Sequence, residues 1–299
     1  MLREGAYFID VYGDVYAVKG LVHPPGRVYA VPRLLKQEEM KNLQKALQLV
    51  ESERVGYLFQ DPYTGRRVIA VPRRNIKQVI TPSKNIKGPP RLVETAKKLS
   101  QVLSQAGVEH GFTGSLLLGT ADSDSDIDIV IYGGSREYRK LKTLRLKNIL
   151  QPVDENMLHM LAESRLDTPF SQPTLATEQR KILTGQFEHS LYTMKIVPKV
   201  FWESWSNTRV YPQKFIEAVV EITDARQGFT TPSRYRVKPL DAEAGFSEMI
   251  SFRSRFAEMG YRGERLRVRG LLEKVAKPGK IYHRLNVGID AGDYMRVMG

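Results

Sequence analysis

Asp126 and Asp128 stand two positions apart in the run Asp-Ile-Asp-Ile-Val-Ile. Read as a β-strand, this run alternates its side chains. Asp126, Asp128 and Val130 face one way; Ile127, Ile129 and Ile131 face the other. Carboxylates two residues apart on one strand face lie about 6.5–7 Å apart along the chain. Their tips can converge on one or two divalent cations, and paired metals in such sites stand about 3.5–4 Å apart. Gly114-Ser115 precedes the pair. Glycine lets a backbone approach a phosphate closely, and the first amides of a helix opening at Ser115 can receive that phosphate. The stretch Gly111–Gly134 thus reads strand, tight turn, short helix, acidic loop, strand. One end suits a polyphosphate and the other a metal.

Two plainer readings compete. The first is an acidic loop running into an ordinary buried strand. The second is a calcium loop through Asp122, Asp124, Asp126 and Asp128. Its sixth position holds Ile127 rather than Gly and its twelfth Gly133 rather than Glu, which argues against it.

The elements that must position these residues are also legible. Ser83–Pro90 is a polar, proline-ended linker. The spacing of Leu92, Ala96, Leu99 and Leu103 predicts a helix over Arg91–Ala106 with one apolar stripe, leading through Gly107 to the strand before Gly114. After the acidic strand comes a basic run, residues 135–147, with Arg136, Arg139, Lys140, Lys142, Arg145 and Lys147. It reads either as a solvated helix face or as a rail for phosphates. Short helices are expected at Met157–Leu161 and Ala176–Leu183, and a strand over Phe187–Val197, stopped by Pro198.

The Gly-Ser turn, a ten-residue spacer and Asp-Ile-Asp-Ile resemble the signature of the DNA polymerase beta-type nucleotidyltransferase superfamily. The close resemblance covers this one stretch. It implies that Gly114 and Ser115 hold the triphosphate of a nucleoside triphosphate, and that Asp126 and Asp128 are the catalytic pair holding magnesium or manganese. It also implies a third acid on a later strand. Where that acid is expected, before Ile-Val-Pro, the chain has Lys195. Glu188 is the nearest acid on the predicted strand and becomes the candidate third metal ligand. Lys195 becomes a candidate for neutralising triphosphate charge. Asp154, Glu155 and Glu217 are other acids that sequence alone does not place.

The flanks read as β-rich. Residues 1–88 give strands around a helix over 36–51, and residues 211–299 repeat the order at a near-constant offset. Phe215-Ile216-Glu217 answers Phe8-Ile9-Asp10, and Gly260-Tyr261 answers Gly56-Tyr57. The second copy is expected to have a helix through Phe246, Met249, Ile250 and Phe256, then strands Leu266–Arg269 and Leu271–Val275. The expected architecture is α+β, with a nucleotidyltransferase core of mixed sheet and helices (89–210) between two related β-rich modules (1–88 and 211–299).

The 299-residue chain has no cysteine, which excludes disulfides and cysteine zinc sites. It has no apolar run long enough to span a bilayer and no signal-peptide core at its start, so a cytoplasmic setting without membrane is expected. Its net charge of +13 favours a polyanionic partner, RNA or DNA, with Arg136, Lys140, Lys142 and Arg145 as candidate contacts. Three functions fit: nucleotidyl transfer to a nucleic-acid end, nucleic-acid binding on a core that has lost catalysis, and nucleotidyl transfer to a protein.

Overall fold

Among the described residues the strands assemble into three sheets. The computed structural model describes residues 2–36, 38–40, 43–163, 174–240 and 245–298. The chain forms two compact units: Met1–Thr81 with Val200–Gln213 and Glu273–Tyr282, and Pro82–Lys199 with Lys214–Leu272 and His283–Gly299. This grouping differs from three consecutive segments, because two later pieces join the N-terminal unit. Among the described residues no helix is long and apolar enough to cross a membrane.

In the first unit, β1 (Tyr7–Asp10), β2 (Val15–Val18), β3 (Arg27–Leu35), β4 (Glu38–Glu39), β5 (Leu58–Asp61), β6 (Arg66–Pro72) and β7 (Ile76–Ile80) form one sheet. Its order is β5-β6-β3-β2-β1-β7, with β4 on β3. Helix α1 (Leu43–Glu53) buries Ala46 and Val50 with Phe8, Tyr16 and Val28. The helix expected from residue 36 therefore starts later. Lys36 takes a left-handed conformation, its N–H donates to Asp14, and Glu38–Glu39 pairs back onto Leu34–Leu35. Residues 37, 41 and 42 of that expected helix lie outside the described residues. Asp61 and Glu203 tie the later pieces in. Asp61 accepts from the Trp205 indole at 2.9 Å and the Tyr29 hydroxyl at 2.6 Å. Glu203 accepts from Tyr63 at 2.6 Å and pairs with Lys277 at 3.1 Å.

The second unit begins with α2 (Pro90–Gln105), β8 (Gly111–Phe112), α3 (Gly114–Leu118), β9 (Ile127–Tyr132) and α4 (Ser135–Leu146). It continues with α5 (Glu155–Glu163), α6 (Leu175–Gln179), β10 (Thr184–Phe187) and β11 (Ser190–Val197). Helix α2 forms where the stripe predicts it. Leu92, Ala96, Leu99 and Leu103 are buried against Ile127, Ile129, Ile131, Tyr192, Met194 and Ile196. The sheet order is β10-β11-β9-β8, with β9 and β11 parallel and the other pairs antiparallel. The single strand expected over Phe187–Val197 is in fact the turn and second arm of a hairpin. Glu188 and His189 both adopt positive φ there, which reverses the chain. Helix α6 ends earlier than expected, with Leu183 and Thr184 turning into β10.

The C-terminal sheet holds β12 (Arg209–Gln227), β13 (Ser233–Pro239), β14 (Glu248–Ser251), β15 (Arg265–Lys277), β16 (Lys280–Asn286) and β17 (Tyr294–Val297). Its order is β12-β13-β14-β16-β15-β17, and β12 also pairs with β15, so five strands close on themselves. Ala218, Val220, Tyr235, Val237, Met249, Leu266, Val268 and Leu285 fill the interior. The helix expected through Met249 and Ile250 is instead strand β14 and a short turn at Ser254–Phe256. Both residues are fully buried in a central strand, and a short apolar run buried on both faces shows no strand period to read. The two strands expected on either side of Gly270 are one strand, β15. A Cβ at Gly270 would press on the Asn286 carbonyl at 2.7 Å, so glycine lets β16 approach. The N-terminal sheet is antiparallel in its described pairings, whereas β14 and β16 run parallel. The order shared along the sequence therefore does not extend to strand order.

Candidate active site

Asp126 sits just before β9 and Asp128 is its second residue, and both are half-buried. Their odd-numbered neighbours Ile127, Ile129 and Ile131 are fully buried beneath α2. The sheet register adds two more residues to the carboxylate side. Thr193 of β11 lies opposite Asp128, and Lys195 lies opposite Val130. Paired residues in neighbouring strands point to the same face, so Asp128, Thr193 and Lys195 share one surface. The Thr193 hydroxyl donates to Asp126 Oδ2 at 3.0 Å.

The turn before α3 is stitched to the same place. Thr113 N–H donates to the Asp128 carbonyl at 3.0 Å. Gly114 has φ +65°, and any Cβ there would collide with the Asp128 carboxylate. Glycine is therefore required on two counts: its backbone conformation and its contact with Asp128. Gly119 closes α3 in the left-handed region, its N–H bonded to Ser115 O at 2.8 Å. Gly114, Ser115, Asp126 and Asp128 thus converge.

The carboxylates perturb each other. Burial first, and the neighbouring charge of Asp128 second, push Asp126 up to about 7. The Thr193 hydrogen bond and the Lys195 charge act in the opposite direction by favouring the ionised form. A carboxyl raised in this way is a functional-site signal, because a bound cation would remove both penalties.

Glu188 does not join this face. It sits in the β10–β11 turn and pairs with Lys98 of α2 at 3.1 Å. Helix α2 covers the apolar side of the sheet. Among the described residues no group of three or more His, Asp or Glu side chains gathers to hold a metal. Asp154 caps the start of α5 by accepting from Met157 N–H at 2.9 Å, and Glu217 lies on β12 beside Tyr294. The strand face where a third acid was expected carries Thr193 and Lys195.

The basic run forms α4, and its cations divide. Lys140 donates to the Gly107 carbonyl at the end of α2. Arg145 donates to the carbonyls of Gln179 and Lys181 at 2.9 and 2.8 Å. These two bind main-chain oxygens within the fold, while Arg136 and Lys142 remain exposed. A cavity of about 690 Å³ lies elsewhere, lined by Tyr138, Phe229, Tyr261 and Glu258 among others. Glu258 is buried with its acceptors used: Tyr138 hydroxyl, Ile182 N–H and Leu183 N–H all donate to it at 2.7–3.0 Å. It joins the sheet core to the C-terminal strands.

Sequence reasoning missed Thr193. Its only signal is its place opposite Asp128, which requires knowing that β11 pairs with β9 and in which register.

Residues 91–174 match the family of the nucleotidyltransferase domain. This segment is similar to a polymerase beta-like nucleotidyltransferase domain. It spans α2, the Gly114 turn and the Asp pair, and ends before β11, so Thr193 and Lys195 lie beyond the matched residues. An uncharacterised protein of Methanocaldococcus jannaschii is 24% identical to the chain over 328 aligned positions, covering 95% of this chain and 92% of its own. No solved structure matches the chain significantly.

Proposed function

We propose that the chain is a metal-dependent nucleotidyltransferase that moves a nucleoside monophosphate from a nucleoside triphosphate to an acceptor hydroxyl, most readily that of a nucleic-acid end. The supporting observation is the close approach of Gly114 to the Asp128 carboxylate, which joins the Gly114-Ser115 turn to the carboxylate pair. The donor set fits magnesium or manganese: two half-buried carboxylates, one raised by burial and by the other's charge, and no soft ligand. When bound, the metal supplies charge neutralisation at the phosphates and a lower pKa for the attacking hydroxyl. Asp126 and Asp128 hold and orient it. Thr193 fixes Asp126 through its hydroxyl. The Gly114-Ser115 turn receives the β- and γ-phosphates on main-chain amides, and Lys195 lends positive charge to the triphosphate from the neighbouring strand.

The absence of a third carboxylate among the described residues favours one second reading, a nucleic-acid-binding protein on a core that no longer catalyses. Incubation with α-labelled nucleoside triphosphates, magnesium and pools of RNA, DNA and protein separates the two. Transfer of label to one pool supports the enzyme and identifies its acceptor. Label that stays in free nucleotide, with RNA or DNA still bound, supports the second reading.

A further inference from the structure

The cavity of about 690 Å³ lies within the second unit, apart from the carboxylate face. Its rings Tyr138 and Phe229 pack with the apolar core on the α2 side of the sheet. Just after Phe229, the Thr231 N–H donates to the Ile196 carbonyl of β11 at 2.8 Å. That junction is about 10 Å along the strand from Thr193 and its carboxylate contact.

Contacts behind the cavity hold its walls. One wall is the segment Thr223–Phe229, where β12 breaks register with β13 twice, between Ile222 and Asp224 and between Asp224 and Gln227. Such bulges bend a strand and are frequent beside binding sites. The other wall runs from Glu258 to Arg262. The Glu258 N–H donates to the Gly228 carbonyl at 2.8 Å, and the Met259 N–H to the Tyr235 hydroxyl at 3.0 Å. A Cβ at Gly228 would strike the Tyr235 ring, and one at Gly260 the Ile222 side chain, so both glycines serve this packing.

The walls offer rings and guanidinium groups. Tyr138 and Phe229 stack nearly parallel, 4.2 Å between centroids. Tyr261 is 48% exposed, and the Arg180 guanidinium, paired with Glu264 at 2.7 Å, lies 4.9 Å from its ring centroid. Glu258 spends its acceptors on Tyr138, Ile182 and Leu183. Arg226 balances Asp224 at 2.6 Å. Arg262 is exposed beside them and has no acidic partner among the described residues.

We infer that this cavity is a second site, separate from the Gly114–Asp128 face, and that it binds one nucleotide, free or at the end of a strand. The base lies against Tyr261 and the Tyr138–Phe229 stack, and the phosphate meets Arg262. Aromatic walls select a planar ring, and stacking tolerates any base. The unbalanced guanidinium selects an anion, and Arg suits a phosphate. The volume falls in the range of small-molecule sites, about 300–1,000 Å³. The inference goes beyond nucleotidyl transfer and does not depend on it.

The test is equilibrium dialysis of the full chain with labelled AMP and UMP, in EDTA and without triphosphate. The parent should bind one of either per chain, and Asp128→Asn should match it within about twofold. Thr223→Trp places a ring in the cavity from an exposed wall position and should abolish saturable binding. Tyr261→Ala should weaken binding about tenfold at every salt concentration. Arg262→Ser should weaken it about tenfold at low salt, with the difference shrinking as salt rises. Thermal melting confirms that each variant is folded. Oligoadenylate as competitor separates the two sources: displacement of AMP at comparable concentration supports a strand end, and no displacement supports a free nucleotide. A parent that binds neither AMP nor UMP in EDTA would overturn the inference and leave the transferase reading intact. So would folded Thr223→Trp and Arg262→Ser proteins that bind like the parent. Binding lost in Asp128→Asn but kept in Thr223→Trp would move the nucleotide to the carboxylate face, overturning the second site while supporting the transferase.

Discussion

The two faces of the β9–β11 strand pair are built from alternate residues of the same short segments, yet they obey different rules. One face stacks Ile127, Ile129, Ile131, Tyr192, Met194 and Ile196 under α2, all essentially without solvent exposure. The other presents Asp126, Asp128, Thr193 and Lys195, and closes again at Val130, which is fully buried. The dry face supplies the stability that fixes strand position. The polar face uses that fixed position to hold two like charges side by side, an arrangement unfavourable in the absence of a cation. Substitutions on the two faces should therefore separate stability from activity.

The largest expected effect is on catalysis. Asp128→Asn should lower nucleotidyl transfer by at least about a hundredfold, the usual loss when a group acting on transition-state charge is removed. Melting temperature should not fall. Ile129→Ala should do the reverse, destabilising the fold by about 2–5 kcal/mol as buried side chains do when truncated. Its activity per folded molecule should be largely retained. If both variants lose activity and stability together, the division between faces is wrong.

A smaller effect concerns pH. The folded state raises Asp126 from its ordinary value of 3.8 to about 7, chiefly by burial. Between those two values the folded state holds a proton that the unfolded state has released, so stability falls as pH rises through this window. Asp126→Asn removes the penalty. It should melt higher than the parent above about pH 7, with the difference shrinking towards pH 4. Added magnesium should raise the parent's melting temperature above about pH 7 and leave the Asn variant nearly unchanged. A parent and variant whose difference is constant with pH would contradict the perturbed carboxyl. Thr193→Val should sharpen the same point. Without the hydroxyl the ionised form of Asp126 loses a donor, so the pH needed for magnesium binding should shift upward.

The smallest effects lie on α4. Lys142→Ser or Arg136→Ser should change stability by no more than about 0.5 kcal/mol, as exposed sites usually do. Arg145→Ser removes a partner from two carbonyls and should cost more, on the order of 1–3 kcal/mol. Thermal melting of the three variants checks the order.

Much of this was legible before the fold was known. The Asp126–Asp128 alternation, the α2 stripe and the Gly114 turn each carry a local period or a residue with a single conformational use. Other features depend on pairing between distant segments. Glu188 read as a strand acid because nothing in Phe-Glu-His-Ser marks two consecutive positive φ values at non-glycine residues. Met249 and Ile250 fit a helical spacing because β14 is buried on both faces, its polar residues Glu248 and Ser251 included, so polar and apolar positions do not alternate along it. The run on α4 looked like a charge patch, yet Lys140 and Arg145 are bonded to main-chain carbonyls of neighbouring segments. Arg267 and Arg296 lie about thirty residues apart in the chain, and only the pairing of β15 with β17 brings them side by side. Thr193 shows the same limit at the active face.

Pyrophosphate release in the presence of a nucleoside triphosphate, magnesium and acceptor, compared between the parent and Asp128→Asn, tests the assignment of the carboxylate pair most directly. The parent should release one pyrophosphate for each nucleotide transferred. The variant should lose that release while keeping its fold by circular dichroism. A folded Asp128→Asn protein that still releases pyrophosphate at the parental rate would contradict the assignment of this face as the site of nucleotidyl transfer.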